Sequence, residues 1–280
     1  LHSSAATSAA RPFLKWAGGK SQLLSALVAR VDGAGAFKRY HEPFLGGAAL
    51  FFELHAAGHL EKGAVLSDAN RNLVEAYLGV QGHVEEVIAL LEAHRRSHSK
   101  EHYYATRERV PVGLPERAAR IVYLNRTCYN GLYRENASGA FNVPMGSYTN
   151  PRICDPDNLR AVSAALRSAV VECRPFETVL DRARPGDLVY FDPPYHPVSK
   201  TSSFTAYAKG GFGEPEQRRL AEVFRQLAAR NIKAILSNSM TDFVRELYAD
   251  FRIDTVDATR RVNSKADRRG KIPEALVINW

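Results

Sequence analysis

Apolar positions in this chain fall into short runs separated by longer stretches in which they recur every three or four residues. The short runs begin at Tyr40 and continue with Ala64–Ser67, Ala169–Cys173, Leu188–Phe191, Ala234–Leu236, Arg252–Val256 and Ala275–Ile278. Bounded by turn formers, they read as strands, and Leu188–Phe191, apolar throughout, reads as one buried on both faces. The three- and four-residue spacing predicts helices from Ser21 to about Val31, at Ala49–Leu54, Asn70–Leu78, Val84–Arg95, Lys100–Arg109, Pro115–Asn125, Pro215–Arg230 and Asp242–Tyr248. Glu214 and Asn231 flank the long helix as caps. Strands alternating with helices predict an α/β sheet. The strand pattern lapses between about 81 and 165, which reads as an inserted subdomain; residues 11–80 and 166–280 then form one sheet domain, and 1–10 a loose tail.

A net charge of +8 favours a polyanionic partner. The three cysteines, Cys128, Cys154 and Cys173, are too scattered for a disulfide framework or a zinc site, so each is expected to be a small buried residue and no metal is expected. No apolar stretch is long enough to cross a membrane and residues 1–10 lack a signal-peptide pattern, so a cytoplasmic protein is the default expectation.

The densest chemistry follows Leu188–Phe191, where Asp192-Pro193-Pro194-Tyr195 places a carboxylate at the carboxyl end of a strand, the usual ligand-binding end of open α/β sheets. Two prolines remove two donors, leaving nearby carbonyls open as acceptors beside the Tyr195 ring. Such a cluster suits a planar group bearing an amino function; a proline turn with a surface tyrosine is the plain alternative. Upstream, Glu42-Pro43-Phe44-Leu45-Gly46-Gly47 gives strand, glycine turn and helix, the first half of a nucleotide-binding unit. Asp68 ends the next strand about 20 residues on, where an acid binds ribose hydroxyls, and also reads as the N-cap of the following helix. The glycine pattern departs from G-x-G-x-x-G and favours a nucleoside-like cofactor without a pyrophosphate. Gly18-Gly19-Lys20 is not a P-loop, since Trp16 takes part of the space its leading glycine needs.

Within the insert, Arg126 to Asn136 and Phe141 to Tyr148 interleave Arg, Asn and Tyr with glycines, as a hairpin packed on its own helices or as a surface for phosphates and base edges. The loop Ser199 to Gly213 reads as a cover over substrate or a plain surface loop. Ser237-Asn238-Ser239 forms a second polar strand end, and a basic run spans Arg260 to Lys271.

Taken in order, Phe13-Leu14-Lys15-Trp16-Ala17-Gly18-Gly19-Lys20, Glu42-Pro43-Phe44-Leu45-Gly46-Gly47, Tyr129-Asn130-Gly131-Leu132, Phe141-Asn142-Val143-Pro144, Asp192-Pro193-Pro194-Tyr195, Phe204-Thr205-Ala206-Tyr207 and Leu236-Ser237-Asn238 make the chain resemble the DNA adenine-N6 methyltransferases of the Dam (GATC-modifying) family, including members from restriction–modification systems. That resemblance implies a Rossmann-like S-adenosylmethionine-dependent methyltransferase sheet of seven strands, the last antiparallel, with an inserted, mainly helical target-recognition domain. It implies catalysis by Asp192, Pro193, Pro194 and Tyr195 on an adenine flipped out of double-stranded DNA. The implied cofactor site holds Trp16, Ala17, Gly18, Lys20, Phe44, Gly46, Gly47, Asp68 and Asp192. The implied DNA contacts are Lys15, Leu132, Arg134 and Pro144 on bases, Arg126 and Asn130 on phosphates, Tyr129 as an intercalating ring, and Tyr148. GATC is the expected target, a monomer the expected state, and a cognate restriction endonuclease a partner to look for. Ala48 stands where many relatives carry glycine, and Ser147 and Thr149 where they carry basic residues. The competing readings are an RNA or protein-glutamine amino-methyltransferase and a DNA-binding homologue without catalysis. A cytosine-C5 enzyme is excluded, since no cysteine follows a proline.

Overall fold

The computed structural model describes residues 9–16, 23–198, 211–259 and 271–280. Its elements run α1 (Leu24–Ala34), β1 (Tyr40–Glu42), α2 (Ala49–Ala56), β2 (Ala64–Asp68), α3 (Arg71–Gly82), α4 (Val84–Arg96), α5 (Lys100–Glu108), α6 (Leu114–Thr127), α7 (Pro156–Leu166), β3 (Ala169–Cys173), α8 (Val179–Arg182), β4 (Leu188–Phe191), α9 (Glu214–Ala229), β5 (Lys233–Ser239), α10 (Asp242–Leu247), β6 (Arg252–Thr259) and β7 (Lys271–Ile278). The seven strands lie in the order β3-β2-β1-β4-β5-β7-β6. β1 runs parallel to β2 and β4, β4 runs parallel to β5, and β7 is antiparallel to both β5 and β6. The α/β class and the antiparallel last strand are as expected.

Open α/β sheets bind ligands where the strand order reverses, and here that point lies between β1 and β4. The chain winds outward from β1 through β2 to β3, then returns to place β4 on the other side of β1. Connections leave β1 and β4 in opposite directions, which opens a crevice beyond their carboxyl ends. Glu42 ends β1 and Asp192 follows β4 directly.

Two compact units divide the chain. One comprises Leu1–Gly19, Gly46–Glu61 and Asn70–Cys173, the other Lys20–Leu45, Lys62–Ala69 and Arg174–Trp280. In the first, α3 packs on α6 and α7, and α4 on α6. Gly79 on α3 permits the close crossing, because a Cβ there would lie 2.3 Å from that of Ala118 on α6. In the second, β4 is buried along its whole length, and Phe191 and Leu236 share a core with Leu220, Phe224 and Leu227 of α9. Burying these side chains, at about 1.5–3 kcal/mol each, fixes the strand from which Asp192 projects.

Three local expectations are corrected. Asp68 is not the cap of α3: that role falls to Asn70, whose side chain accepts from the Leu73 N–H at 3.1 Å. Glu214 is the first residue of α9 and Gly213 its N-cap, with the Glu216 carboxylate accepting from the Gly213 N–H at 2.9 Å. Asn231 does follow the helix in the left-handed region, at φ 55°. α7 was not expected, although Leu159, Val162 and Leu166 form a buried stripe at helical spacing. The tail 1–8, residues 199–210 of the Ser199–Gly213 loop, and 260–270 of the basic run lie outside the described residues.

Candidate active site

In the second unit, Asp192 is half-buried at the end of β4 and is oriented from β5. The Ser237 hydroxyl donates to Asp192 Oδ1 at 3.0 Å, and the Tyr190 hydroxyl lies 3.1 Å from Ser237 Oγ. Serine has one proton to give, so Tyr190 must be the donor in the second bond. Burial first, and then the Asp192 charge, hold the Tyr190 hydroxyl well above the ordinary phenol range, which keeps it a donor. The result is a polarised chain, Tyr190 to Ser237 to Asp192, that fixes one carboxylate oxygen.

The proline turn is held differently. Gln217 of α9, fully buried, donates from Nε2 to the Pro194 carbonyl at 2.8 Å. Its Oε1 accepts from Asn238 Nδ2 at 3.0 Å, while Asn238 Oδ1 accepts from the His196 N–H at 2.9 Å. The expectation that the carbonyls beside the prolines stay open therefore needs correction for Pro194. Among the described residues the Pro193 carbonyl carries no hydrogen bond. Tyr195 donates to Glu274 Oε2 on β7 at 2.8 Å, and burial followed by Asp192 raises its pKa well above the phenol value. Ring, carboxylate and the Pro194 carbonyl are thus each held by a different neighbour.

Phe44, just beyond β1, stacks on Phe176 at 5.4 Å and meets Phe212 edge-on at 5.5 Å. The Leu45 N–H donates to the Ser67 carbonyl at 3.0 Å, which draws the exits of β1 and β2 together, and half-buried Asp68 follows. Phe44 and Asp68 thus follow and end two neighbouring strands, a ring and a carboxylate of the kinds that pack on a base and bind ribose hydroxyls. Of the other residues expected at a cofactor site, Trp16, Gly46 and Gly47 belong to the first unit, where the Trp16 ring lies 5.2 Å from that of Tyr133; Ala17, Gly18 and Lys20 lie outside the described residues. Ala48, between the glycines and α2, adopts φ 53°, a left-handed conformation that a Cβ disfavours.

The residues expected to touch DNA all belong to the first unit, where one buried amide ties Lys15 to the turn at Gly131. Asn125 accepts from the Lys15 N–H at 2.7 Å and donates to the Lys15 and Gly131 carbonyls at 2.8 and 3.1 Å. Gly131 is required there, since its φ is +65° and a Cβ would lie 2.6 Å from that of Lys15. The Lys15 ammonium sits 3.9 Å above the Tyr148 ring, a cation–π contact that holds the charge at the surface. The 126–148 segment turns back on itself through antiparallel bridges Cys128–Met145 and Glu135–Phe141. Tyr129, Asn130, Arg134 and Pro144 are exposed on it, and Leu132 is half-exposed. Arg134 donates from Nε to Asn142 Oδ1 at 2.7 Å. Arg126 is half-buried and donates from Nε to the Phe13 carbonyl at 2.9 Å.

Sequence reasoning missed Gln217, Asn125 and Phe176. Each is a single residue whose partners lie far away in sequence, so no local pattern marks it. The cysteines are also corrected: Cys128 is buried, but Cys154 is half-buried and Cys173 exposed at the end of β3. Among the described residues no group of His, Cys, Asp and Glu is arranged to hold a metal, and no helix is long and apolar enough to cross a membrane.

The family model described as D12 class N6 adenine-specific DNA methyltransferase matches residues 16–262. The chain is 41% identical over 278 residues to the Type II methyltransferase M1.LlaDCHI of Lactococcus lactis subsp. cremoris, covering 96% of this chain and 95% of that protein. It is 41% identical over 287 residues to the Type II methyltransferase M.MjaIII of Methanocaldococcus jannaschii, covering 96% and 99%. It is 32% identical over 275 residues to the DNA adenine methylase of Escherichia coli K12, covering 96% and 95%. The matched span runs through β1 to β6 and takes in Phe44, Asp68 and Asp192-Pro193-Pro194-Tyr195: the chain belongs to the D12 class of N6 adenine-specific DNA methyltransferases, S-adenosylmethionine-dependent enzymes of the α/β fold described above.

Proposed function

We propose that this enzyme methylates adenine N6 within GATC in double-stranded DNA, on a base flipped out of the duplex, and that Asp192, Pro193, Pro194 and Tyr195 carry the reaction. Adenine N6 is a poor nucleophile because its lone pair is delocalised into the ring, and inside a duplex it is out of reach. Flipping costs a few kcal/mol, which the receiving site must recover. Tyr195 stacks on the extruded base. The Asp192 carboxylate and the Pro193 carbonyl accept the two amino protons, which turns the lone pair out of the ring plane. S-adenosylmethionine, when bound, supplies an electrophilic sulfonium methyl. Phe44, Phe176 and Asp68 are the residues of the second unit suited to hold it. Alignment by fixed acceptors then supplies much of the acceleration, with no covalent enzyme intermediate.

The observation carrying this reading is the division of roles at the turn: Gln217 occupies the Pro194 carbonyl, the Pro193 carbonyl is left open among the described residues, and Ser237 aims Asp192. The GATC assignment rests on Lys15, Leu132, Arg134 and Pro144, supported by the pinning of Lys15 by Asn125 and of Arg134 by Asn142. Arg126 and Asn130 contact phosphates, Tyr148 backs Lys15, and Tyr129, 53% exposed, inserts between bases. The insert of residues 81–165 carries target recognition. The enzyme acts as a cytoplasmic monomer, with a restriction endonuclease of the same target as its functional counterpart.

Single-molecule sequencing of plasmid incubated with enzyme and cofactor reads the modified base and its context together. N6-methyladenine confined to GATC is expected. Modification at another motif would overturn the target assignment alone. Methylation by Asp192→Ala at more than a trace of the normal rate would overturn the catalytic assignment.

A further inference from the structure

The segment leading into Lys15 is anchored more firmly than a chain end requires. Asn158, buried at the start of α7, accepts from the Arg11 N–H and donates to the Arg11 carbonyl, both at 3.0 Å. Arg126 holds the Phe13 carbonyl two residues on. These bonds bring Arg11 to Asp155, 3.8 Å away, where Arg152 also arrives at 2.9 Å. Asp155, Arg126 and Arg152 line a shallow hollow floored by Phe13, Ile153 and Leu159.

The charges here do not balance. Among the described residues Arg11 and Arg152 both pair with the Asp155 carboxylate and Arg126 also feels its charge, while the side chains of Arg11 and Arg152 remain 63% and 65% exposed. Burial, and then the Arg152 charge, disfavour the Arg126 cation, while Asp155 only partly offsets this. Among the described residues Arg126 is committed to Phe13 through Nε alone, which leaves its terminal nitrogens for an incoming group. Guanidinium forks suit phosphate oxygens, and they outnumber the acceptors present. Positions 147 and 149, just before Arg152 in sequence, are Ser and Thr and bring no charge of their own.

We propose that Arg11 and Arg152 join Arg126, already read as a phosphate contact, in a seat for a backbone phosphate of duplex DNA, with Asp155 as the internal anion that holds Arg11 and Arg152 in place until the phosphate arrives. The inference rests on duplex DNA being the substrate. A backbone contact positions the duplex without reading its sequence.

The test is fluorescence anisotropy of a labelled duplex across a salt series, with wild type, Arg11→Gln/Arg152→Gln and Asp155→Asn, each checked for folding by thermal melting. The double variant is expected to weaken cognate and non-cognate duplexes alike and to reduce the slope of log Kd against log salt by about 2. Asp155→Asn removes a competing anion and is expected to tighten binding roughly fivefold. A double variant with the wild-type slope overturns the proposal. So does an Asp155→Asn protein that binds no tighter, because the arginines then serve only to bridge Asp155, and this arm decides even where the double variant fails to fold. Inorganic phosphate that fails to compete at matched ionic strength assigns the seat to the duplex backbone rather than to free anions; competition that abolishes the difference between wild type and the double variant overturns the duplex assignment. Wild type that methylates plasmid while these arms fail refutes only the phosphate seat; wild type that binds no duplex refutes the reading beneath it.

Discussion

Ser237→Ala tests whether Asp192 works through its orientation. The substitution deletes one hydroxyl, and with it the 3.0 Å bond to Asp192 Oδ1 and the partner of the Tyr190 hydroxyl. A hydrogen bond to a charged group contributes about 1.5–3 kcal/mol, so a carboxylate released from it loses roughly 10- to 100-fold in turnover. Binding of DNA and cofactor should move by no more than about twofold, because the interaction is spent on geometry at the reacting amino group. Stranding the buried Tyr190 hydroxyl costs a further 1–3 kcal/mol or so, read as a melting point lower by several degrees. Single-turnover methylation of a duplex, measured well below that temperature, separates the two effects. Ser237→Thr retains the hydroxyl and should recover most of the rate. Tyr190→Phe leaves the Ser237–Asp192 bond in place and should lose less than about tenfold. The reasoning fails if Ser237→Ala turns over within about threefold of wild type. It fails equally if Tyr190→Phe is as damaging, since the loss would then reflect packing rather than aim.

Three further expectations address other parts of the molecule. Ala48→Gly relieves a left-handed alanine at a cost of about 1–2 kcal/mol, less glycine's entropic penalty of about 0.5–1, so calorimetry should show a melting point raised by a degree or two; a lowered one contradicts the assignment of strain. Asn125→Ala unties three backbone groups and should cost about 3 kcal/mol in urea denaturation while relaxing the choice of methylated sequence; unchanged sequence choice in the folded variant would detach Asn125 from recognition. His94, its pKa lowered to about 4 by burial and by His102, binds a proton more readily unfolded than folded, so stability should decline as pH falls from 6.5 towards 4. The urea midpoint of His94→Gln should depend less on pH across that window, and an identical dependence would assign the effect elsewhere.

What could be read from the sequence was whatever repeats locally. The run Leu188–Phe191 announces a strand buried on both faces, and Asp192 after it inherits a position at a strand end. The spacing of Ile121, Val122 and Leu124 announces α6 for the same reason. The order in which strands assemble is not periodic: β7 inserts between β5 and β6, and nothing in Ala275–Ile278 alone distinguishes that from an edge position. Capping was misread because Asp68 and Asn70 are both good N-cap residues two positions apart. The deciding factor is that Asp68 still belongs to β2, so its backbone cannot also begin the helix.

The buried amides explain why the site residues were the hardest part to foresee. Around Pro193-Pro194, and where Lys15 meets the short 3-10 turn ending at Gly131, the backbone is neither α-helix nor strand, so most of its N–H and C=O groups have no ladder to join. Leaving them unmet inside the protein costs about 1–3 kcal/mol each. Asn125, Asn158, Gln217 and Asn238 remove that cost, each presenting a donor and an acceptor to main chain or to one another. An amide does this without bringing a charge into the interior, which a carboxylate or a lysine could not. Irregular backbone can therefore be held as firmly as a strand, and a group left over among the described residues, such as the Pro193 carbonyl, stays open for the substrate role proposed above. Replacing any one of these amides by an apolar residue of similar size should then loosen a loop before it unfolds a core, so that substrate positioning degrades ahead of global stability.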